Sequence, residues 1–233
     1  SGMVHVVAPW RQNLASAFNT QLALDCEGNA VFSVKPFDEV CIASTTKTMT
    51  VLIACERTQL PTNDPKYISL NATYTVPDWI RNNVGGSLYM FKKAETLSLR
   101  DLLYACVFPS GNDAAYAIAD MLTGGNNPWL GYGATCPVFI AEMNQRAQQL
   151  GMTHTHFTNP AGLDVGDHHS TAADMALLGR AAMDNTRMAT VVGATNYSFN
   201  RTWKNDNNIT VAGPNHLSYG FLQLLKSRNS AFC

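Results

Sequence analysis

The 233-residue sequence predicts an α+β fold, with strands at the two ends of the chain and helices through its middle. Three observations carry that prediction. Residues 21–35 read as two short strands around the turn Glu27-Gly28-Asn29. From Cys41 to Asn185, apolar residues recur at helical spacing between marked caps. Beyond Asn185 the pattern changes to short polar and aromatic pieces, Tyr197-Ser198-Phe199 and Asn208-Ile209-Thr210-Val211. The N- and C-terminal strands are therefore expected to share one antiparallel sheet.

Each helix has its own punctuation. The first runs through Met49, Val51, Leu52, Ile53, Ala54 and Cys55 and should stop before Pro61. It is apolar nearly all round, as a helix packed inside a protein is. Residues 61–96 are rich in Asn, Thr, Pro and Gly and read as loops, with a strand-like stretch Tyr67-Ile68-Ser69-Leu70. Ser98-Leu99-Arg100-Asp101 is a capping box, and the helix it opens ends at Pro109. Ser110-Gly111-Asn112 is a bend, after which Asp113 to Leu122 is helical and stops at Gly124-Gly125. Pro137 opens a helix with the stripe Phe139, Met143, Ala147 and Leu150, closed by Gly151. Thr171 and Asp174 cap another, with Met175, Leu178 and Ala182 facing inward.

Composition excludes several function classes. Formal net charge is −1, charged residues make up 14%, and no basic block exceeds Lys92-Lys93, so neither nucleic acid nor an anionic membrane surface is indicated. No apolar run is long enough for a membrane span, and no positively charged leader precedes an apolar core. Ser1-Gly2 ahead of Met3 reads as a protease-site remnant, so the native compartment is not read from that end. The six cysteines, at 26, 41, 55, 106, 136 and 233, form no C-x-x-C and no zinc-ligand spacing; Cys55 and Cys106 fit core thiols. His154, His156, His168 and His169 could be imagined as metal ligands, but structural or surface roles are favoured.

The chemistry points to Ser44 and Lys47. Residues at i and i+3 of a helix lie on one face, so the Ser44 hydroxyl and the Lys47 amine can meet. Serine is a weak nucleophile until a base takes its proton, and lysine serves only if burial lowers its pKa from about 10.4 toward neutrality. The apolar helix supplies that burial, and the Ser44 N–H at its head can hold an oxyanion. The same spacing also fits a serine cap followed by a surface lysine. Ser110-Gly111-Asn112 adds a second hydroxyl that can relay a proton and an amide that can bind a carbonyl.

With these motifs the chain resembles the low-molecular-mass penicillin-binding proteins, the serine D-alanyl-D-alanine carboxypeptidases. The likeness includes Ile42 to Met49, Leu97 to Leu103, Pro109 to Ala115, Met143-Asn144, Leu150 to Met152, Thr155 to Leu163 and Ser170 to Ala176. It implies a β-lactamase/transpeptidase-like fold: a sheet with a helical lobe inserted, as one domain of two lobes over residues 1–233, with 1–19 and 217–233 unassigned. The implied activity is removal of the terminal D-alanine from peptidoglycan stem peptides through an acyl-enzyme on Ser44, with penicillins acylating the same serine. Lys47 would be the base, Ser110 would move the proton to the departing D-alanine, and Asn112 would orient the peptide. No metal or organic cofactor is implied. The expected partners are a stem peptide or a β-lactam, and the expected location is the bacterial cell envelope or periplasm.

The sequence departs from that family at its third motif, K-T-G. Lys226-Ser227-Arg228 stands near the right place, but arginine where glycine lets a ligand approach the backbone would obstruct it. Lys226 is thus either a substrate-binding residue of a degenerate motif or a solvated lysine, and the C-terminal strands read as incomplete. His216 stands near where the family places a basic residue beside the substrate. Two other readings stay open: a binding module impaired in turnover, and a class A β-lactamase. The last needs a glutamate to activate the deacylating water, and Glu142, the only glutamate after Ser110, falls inside an amphipathic helix.

Overall fold

The computed structural model describes residues 20–25 and 27–218. The first two strands, β1 (Gln21–Leu24) and β2 (Ala30–Val34), form the expected hairpin. Its turn is fixed by Asp25, whose Oδ1 accepts the backbone N–H groups of Glu27 at 2.9 Å and Asn29 at 2.8 Å. Among the described residues this hairpin is a sheet of its own. A second sheet has the order β3-β4-β5-β6, built from Thr73–Thr75, Thr96–Ser98, Asn196–Lys204 and Thr210–Ser218, antiparallel throughout. Among these residues the partners of the C-terminal strands come from the 73–98 region, which the sequence reading did not assign to that sheet. The short β3 and β4 lie in threonine-rich stretches that resemble loops in composition.

Among the described residues seven helices surround one apolar core: α1 (Lys47–Arg57), α2 (Asp78–Asn83), α3 (Leu99–Val107), α4 (Asn112–Leu122), α5 (Pro137–Gln149), α6 (Ala172–Asp184) and α7 (Thr186–Gly193). Helix α1 packs against α3, α4, α5, α6 and α7. That central position explains its sequence: Met49, Leu52, Ala54 and Cys55 are fully buried and Val51 and Ile53 nearly so. Each large aliphatic side chain buried this way contributes about 1.5–3 kcal/mol. The stripe Phe139, Met143 and Ala147 on α5 is buried, as are Leu178 and Ala182 on α6, in keeping with their spacing. Cys55, Cys106 and Cys136 are buried free thiols.

The caps are those the sequence marks. Ser98 Oγ accepts the Asp101 N–H at 3.1 Å while Asp101 accepts the Ser98 N–H, and Thr171 accepts the Asp174 N–H at 3.0 Å. Three local expectations are corrected. Residues 67–70 are turn and irregular backbone, not strand. Helices α2 and α7 occupy stretches read as loops; α2 is a short helix with one fully buried aliphatic residue, Ile80, too little for a periodic signal. The C-terminal pieces are two nine-residue strands paired from Asn196↔Ser218 to Lys204↔Thr210.

The β5–β6 ribbon meets the helical part through side chains. Tyr197 stacks on Tyr104 of α3 with ring centroids 3.7 Å apart, and its hydroxyl donates to Asp101 Oδ1 at 2.7 Å. Arg201 forks onto the fully buried Glu95 at 2.6 and 2.5 Å. Between β4 and β5 themselves the ladder registers one pair, Thr96↔Thr202. No helix among the described residues is long and apolar enough to cross a membrane.

Candidate active site

A tight 3-10 turn, Ala43–Thr46, leads into α1 and carries Ser44; Lys47 is the first residue of the α-helix. Ala43 has a φ of +45°, so the chain enters the turn through the left-handed region that a residue with a Cβ seldom adopts. The turn brings the two side chains together: Lys47 Nζ lies 3.0 Å from Ser44 Oγ. The Ser44 N–H has no hydrogen-bond acceptor among the described residues.

Lys47 is 5% exposed and has two further neighbours, Asn112 Oδ1 at 2.6 Å and the Ala161 carbonyl at 2.7 Å. Both are oxygens that only accept. They engage two N–H bonds of the amine, and its third position, a proton or a lone pair, faces Ser44 Oγ. Burial lowers the Lys47 pKa, against the opposing pull of Cys106 and Asp113. The Cys106 thiol is itself pushed up to about 12 by burial, so it stands there uncharged. Burial thus favours the neutral, basic amine, and in that form its lone pair faces the serine hydroxyl.

Asn112 is held from both sides. Its Nδ2 donates to the Gly85 carbonyl at 2.8 Å, which fixes Oδ1 as the atom facing Lys47, and its backbone N–H donates to Ser87 at 2.7 Å. Asp113 accepts the backbone N–H groups of Tyr89 and Met90 at 2.8 and 2.9 Å, tying the 85–90 segment to the start of α4. Ser110 has a φ of +57° and Gly111 packs so closely that an added Cβ would meet the Ala105 carbonyl at 2.7 Å. The bend is therefore rigid. No hydrogen bond joins Ser110 Oγ to Ser44 or Lys47; Ser110 is connected to the pair along the chain, through Asn112 two residues on.

The Ala161 carbonyl and its supports had no role assigned from the sequence. Asn159 Oδ1 accepts three successive backbone N–H groups, from Ala161, Gly162 and Leu163, at 3.1, 2.8 and 3.0 Å. That single amide shapes the turn presenting the Ala161 oxygen to Lys47. Thr50 of α1 donates to the Pro160 carbonyl at 2.7 Å, and His168 Nε2 meets Thr46 Oγ1 at 2.7 Å. The available signal was Asn159-Pro160-Ala161-Gly162, an Asn-Pro turn with glycine closing it.

The remaining candidates divide. His216 is on β6, where its Nδ1 meets Ser198 Oγ at 2.6 Å across the ribbon, and it lines a cavity of about 440 Å³ with Ser198, Phe199, Asn200, Pro214 and Asn215. No hydrogen bond ties it to Ser44, Lys47 or Asn112. Lys226, with Ser227 and Arg228, lies outside the described residues. His154 lies in an exposed turn, His156 and His169 pair with each other in an antiparallel β-bridge, and His168 is a buried hydrogen-bonding residue. Glu142 is held by Arg57 and Lys66, the latter at 3.3 Å, so its carboxylate is committed to ion pairs on α5. This speaks against a water-activating glutamate there.

Known proteins carry the same outline. A family model described as D-alanyl-D-alanine carboxypeptidase matches residues 12–221. The D-alanyl-D-alanine carboxypeptidase DacD of Salmonella typhimurium is 39% identical over 106 residues, covering 44% of this chain and 25% of that protein. The D-alanyl-D-alanine carboxypeptidase of Streptomyces sp. (strain K15) is 30% identical over 177 residues, covering 71% of this chain and 58% of that one. Among solved structures, a D-alanyl-D-alanine carboxypeptidase from Mycobacterium tuberculosis superposes with a TM-score of 0.69 at 28% identity, over 91% of this chain and 69% of that chain. The first curated relatives are matched over well under two thirds of their length.

Proposed function

The chain belongs to the D-alanyl-D-alanine carboxypeptidase family, and from that premise we propose that it is a serine peptidase removing the terminal D-alanine from peptidoglycan stem peptides. The observation that carries this reading is the Lys47 amine, buried, lowered in pKa and held between Ser44 Oγ, Asn112 Oδ1 and the Ala161 carbonyl. Ser44 is the nucleophile. Its proton passes to the Lys47 lone pair as Oγ attacks the penultimate D-Ala carbonyl, and the Ser44 N–H is available to the developing oxyanion. Ser110 moves the proton on to the departing D-alanine, and Asn112 orients the peptide while it orders the lysine. Water then hydrolyses the ester. A β-lactam meets the same serine and forms the same kind of ester.

The reading extends to a single two-lobed domain over residues 1–233, supported by a core that runs from Ile42 to Val191 and takes in residues from each of helices α1 to α7. It also extends to substrate contacts by Lys226 and His216, and to action outside the cytoplasm, where peptidoglycan lies.

Intact-mass measurement after exposure to a penicillin tests it, on the wild type and on Ser44→Ala, followed by an assay for released D-alanine. One adduct per chain on the wild type, none on Ser44→Ala, and D-alanine released are the expected results. An adduct without release would mark an impaired binding module instead, and no adduct on the wild type would remove nucleophilic catalysis.

A further inference from the structure

His168 is a buried histidine that the reaction outlined above does not use, and it sits where three segments meet. It is 3% exposed. Its ring joins Thr46, the residue before Lys47, to Thr158, the residue before the turn that carries the Ala161 carbonyl. The backbone N–H of Thr158 donates to Nδ1 at 3.0 Å. A backbone N–H can only donate, so Nδ1 carries no proton and the neutral ring holds its hydrogen on Nε2, facing Thr46 Oγ1 at 2.7 Å.

The ring's own position is set in advance. The two residues that follow it are held in turn: His169 and His156 exchange backbone hydrogen bonds at 3.0 and 3.1 Å, and Ser170 and Val40 exchange theirs at 2.9 and 3.1 Å. The Phe157 ring meets it edge-on at 5.9 Å. Burial brings the His168 pKa down to about 4; His156 and His169 push the same way and Asp164 opposes them, so the ring keeps one donor and one acceptor through neutral pH.

We propose that His168 is a positioning residue for acyl transfer: in its Nε2–H form it clamps Thr46 to Thr158 and so sets the distance between the Lys47 amine and the Ala161 carbonyl. The clamp spans both arms of that contact. Thr46 fixes where the lysine leaves the backbone, and Thr158 fixes the start of the Asn159 to Ala161 turn. Without it the amine loses the acceptor that orders its N–H bonds, and its lone pair no longer has a preferred direction toward Ser44. The inference rests on the acylation of Ser44 proposed above.

The test compares wild type, His168→Ala and His168→Gln for the saturating acylation rate by a penicillin and for the adduct formed per chain at completion. An amide offers an acceptor and a donor about as far apart as the two ring nitrogens, so glutamine can restore the clamp where alanine cannot. The expected result is a rate at least tenfold lower in His168→Ala with the adduct still reaching one per chain, and substantial recovery in His168→Gln. Imidazole nitrogen NMR on the wild type should place the His168 proton on Nε2. An adduct on wild type with an unchanged rate in His168→Ala overturns the positioning role alone. So does a reduced adduct per chain at an unchanged rate in both variants, which is the mark of lost folding. No adduct on the wild type overturns the acylation reading and this inference with it.

Discussion

Gly162 lies so close to Ala43 that a Cβ built on it would stand 1.8 Å from the Ala43 carbonyl oxygen and 2.9 Å from Thr46 Oγ1. Its φ of +86° is also a conformation that side chains resist. Gly162→Ala is therefore expected to push the 159–163 turn off the Ser44 turn and to destabilise the fold by about 3 kcal/mol, from strain and overpacking together. Thermal unfolding and penicillin adduct formation check this. A variant that keeps both the wild-type Tm and full adduct would show that the two turns can separate freely.

Lys47 gives a pH dependence with a definite sign. Burial lowers its folded pKa below the ordinary 10.5, so between those two values the unfolded chain binds more protons than the folded one. Stability contributed by this group is complete above the unfolded value and is lost as pH falls toward the folded one. Relative to Lys47→Met, wild-type stability should rise with pH across that window, with a slope of at most about 1.4 kcal/mol per pH unit. Denaturant titrations of both proteins at stepped pH measure it. Parallel curves would contradict a depressed lysine. Acylation of Ser44 should rise through the same folded pKa and vanish in Lys47→Met.

Asn112→Asp keeps the shape and adds a charge 2.6 Å from the amine. A carboxylate there favours the ammonium and raises the Lys47 pKa. The acylation rate at neutral pH should drop about tenfold or further, and its pH profile should move to higher pH. A rate loss with no movement of the profile would point instead to lost substrate orientation.

Much of the site was legible because it is local. Ser44 and Lys47 are three residues apart, and Ser110-Gly111-Asn112 is marked by the helix punctuation on both sides. The Ala161 carbonyl was not legible, since any residue supplies a backbone oxygen and only the fold decides which one reaches an amine 114 residues away. The same holds for the sheet. The hairpin at 21–34 announces itself by its turn, but whether it pairs with the C-terminal strands is a long-range question, and three-residue strands such as Thr73–Thr75 have no period to read.

Glu95 and Arg201 form an ion pair whose carboxylate is fully buried and also accepts the Lys92 N–H at 2.8 Å. Removing one partner strands the other charge, so Arg201→Ala is expected to cost about 3–5 kcal/mol. Paired replacement by apolar residues of similar size, Glu95→Leu with Arg201→Met, should recover most of it. Urea midpoints of the single and double variants decide the matter.

The lone Thr96↔Thr202 register pair has a dynamic consequence. The nine-residue strands β5 and β6 hold each other along their whole length, yet their main-chain ties to the 93–96 segment are few, the Thr96↔Thr202 pair and the Lys204 N–H to the Lys93 carbonyl. Most other anchors are side chains, among them Tyr197, Phe199, Arg201, Trp203 and Asn215. Such a ribbon can peel from the helices as one cooperative unit below the free energy of global unfolding. Its amides should then lose hydrogen-exchange protection together and ahead of α1, whose Lys47 takes all three of its contacts from residues outside the ribbon.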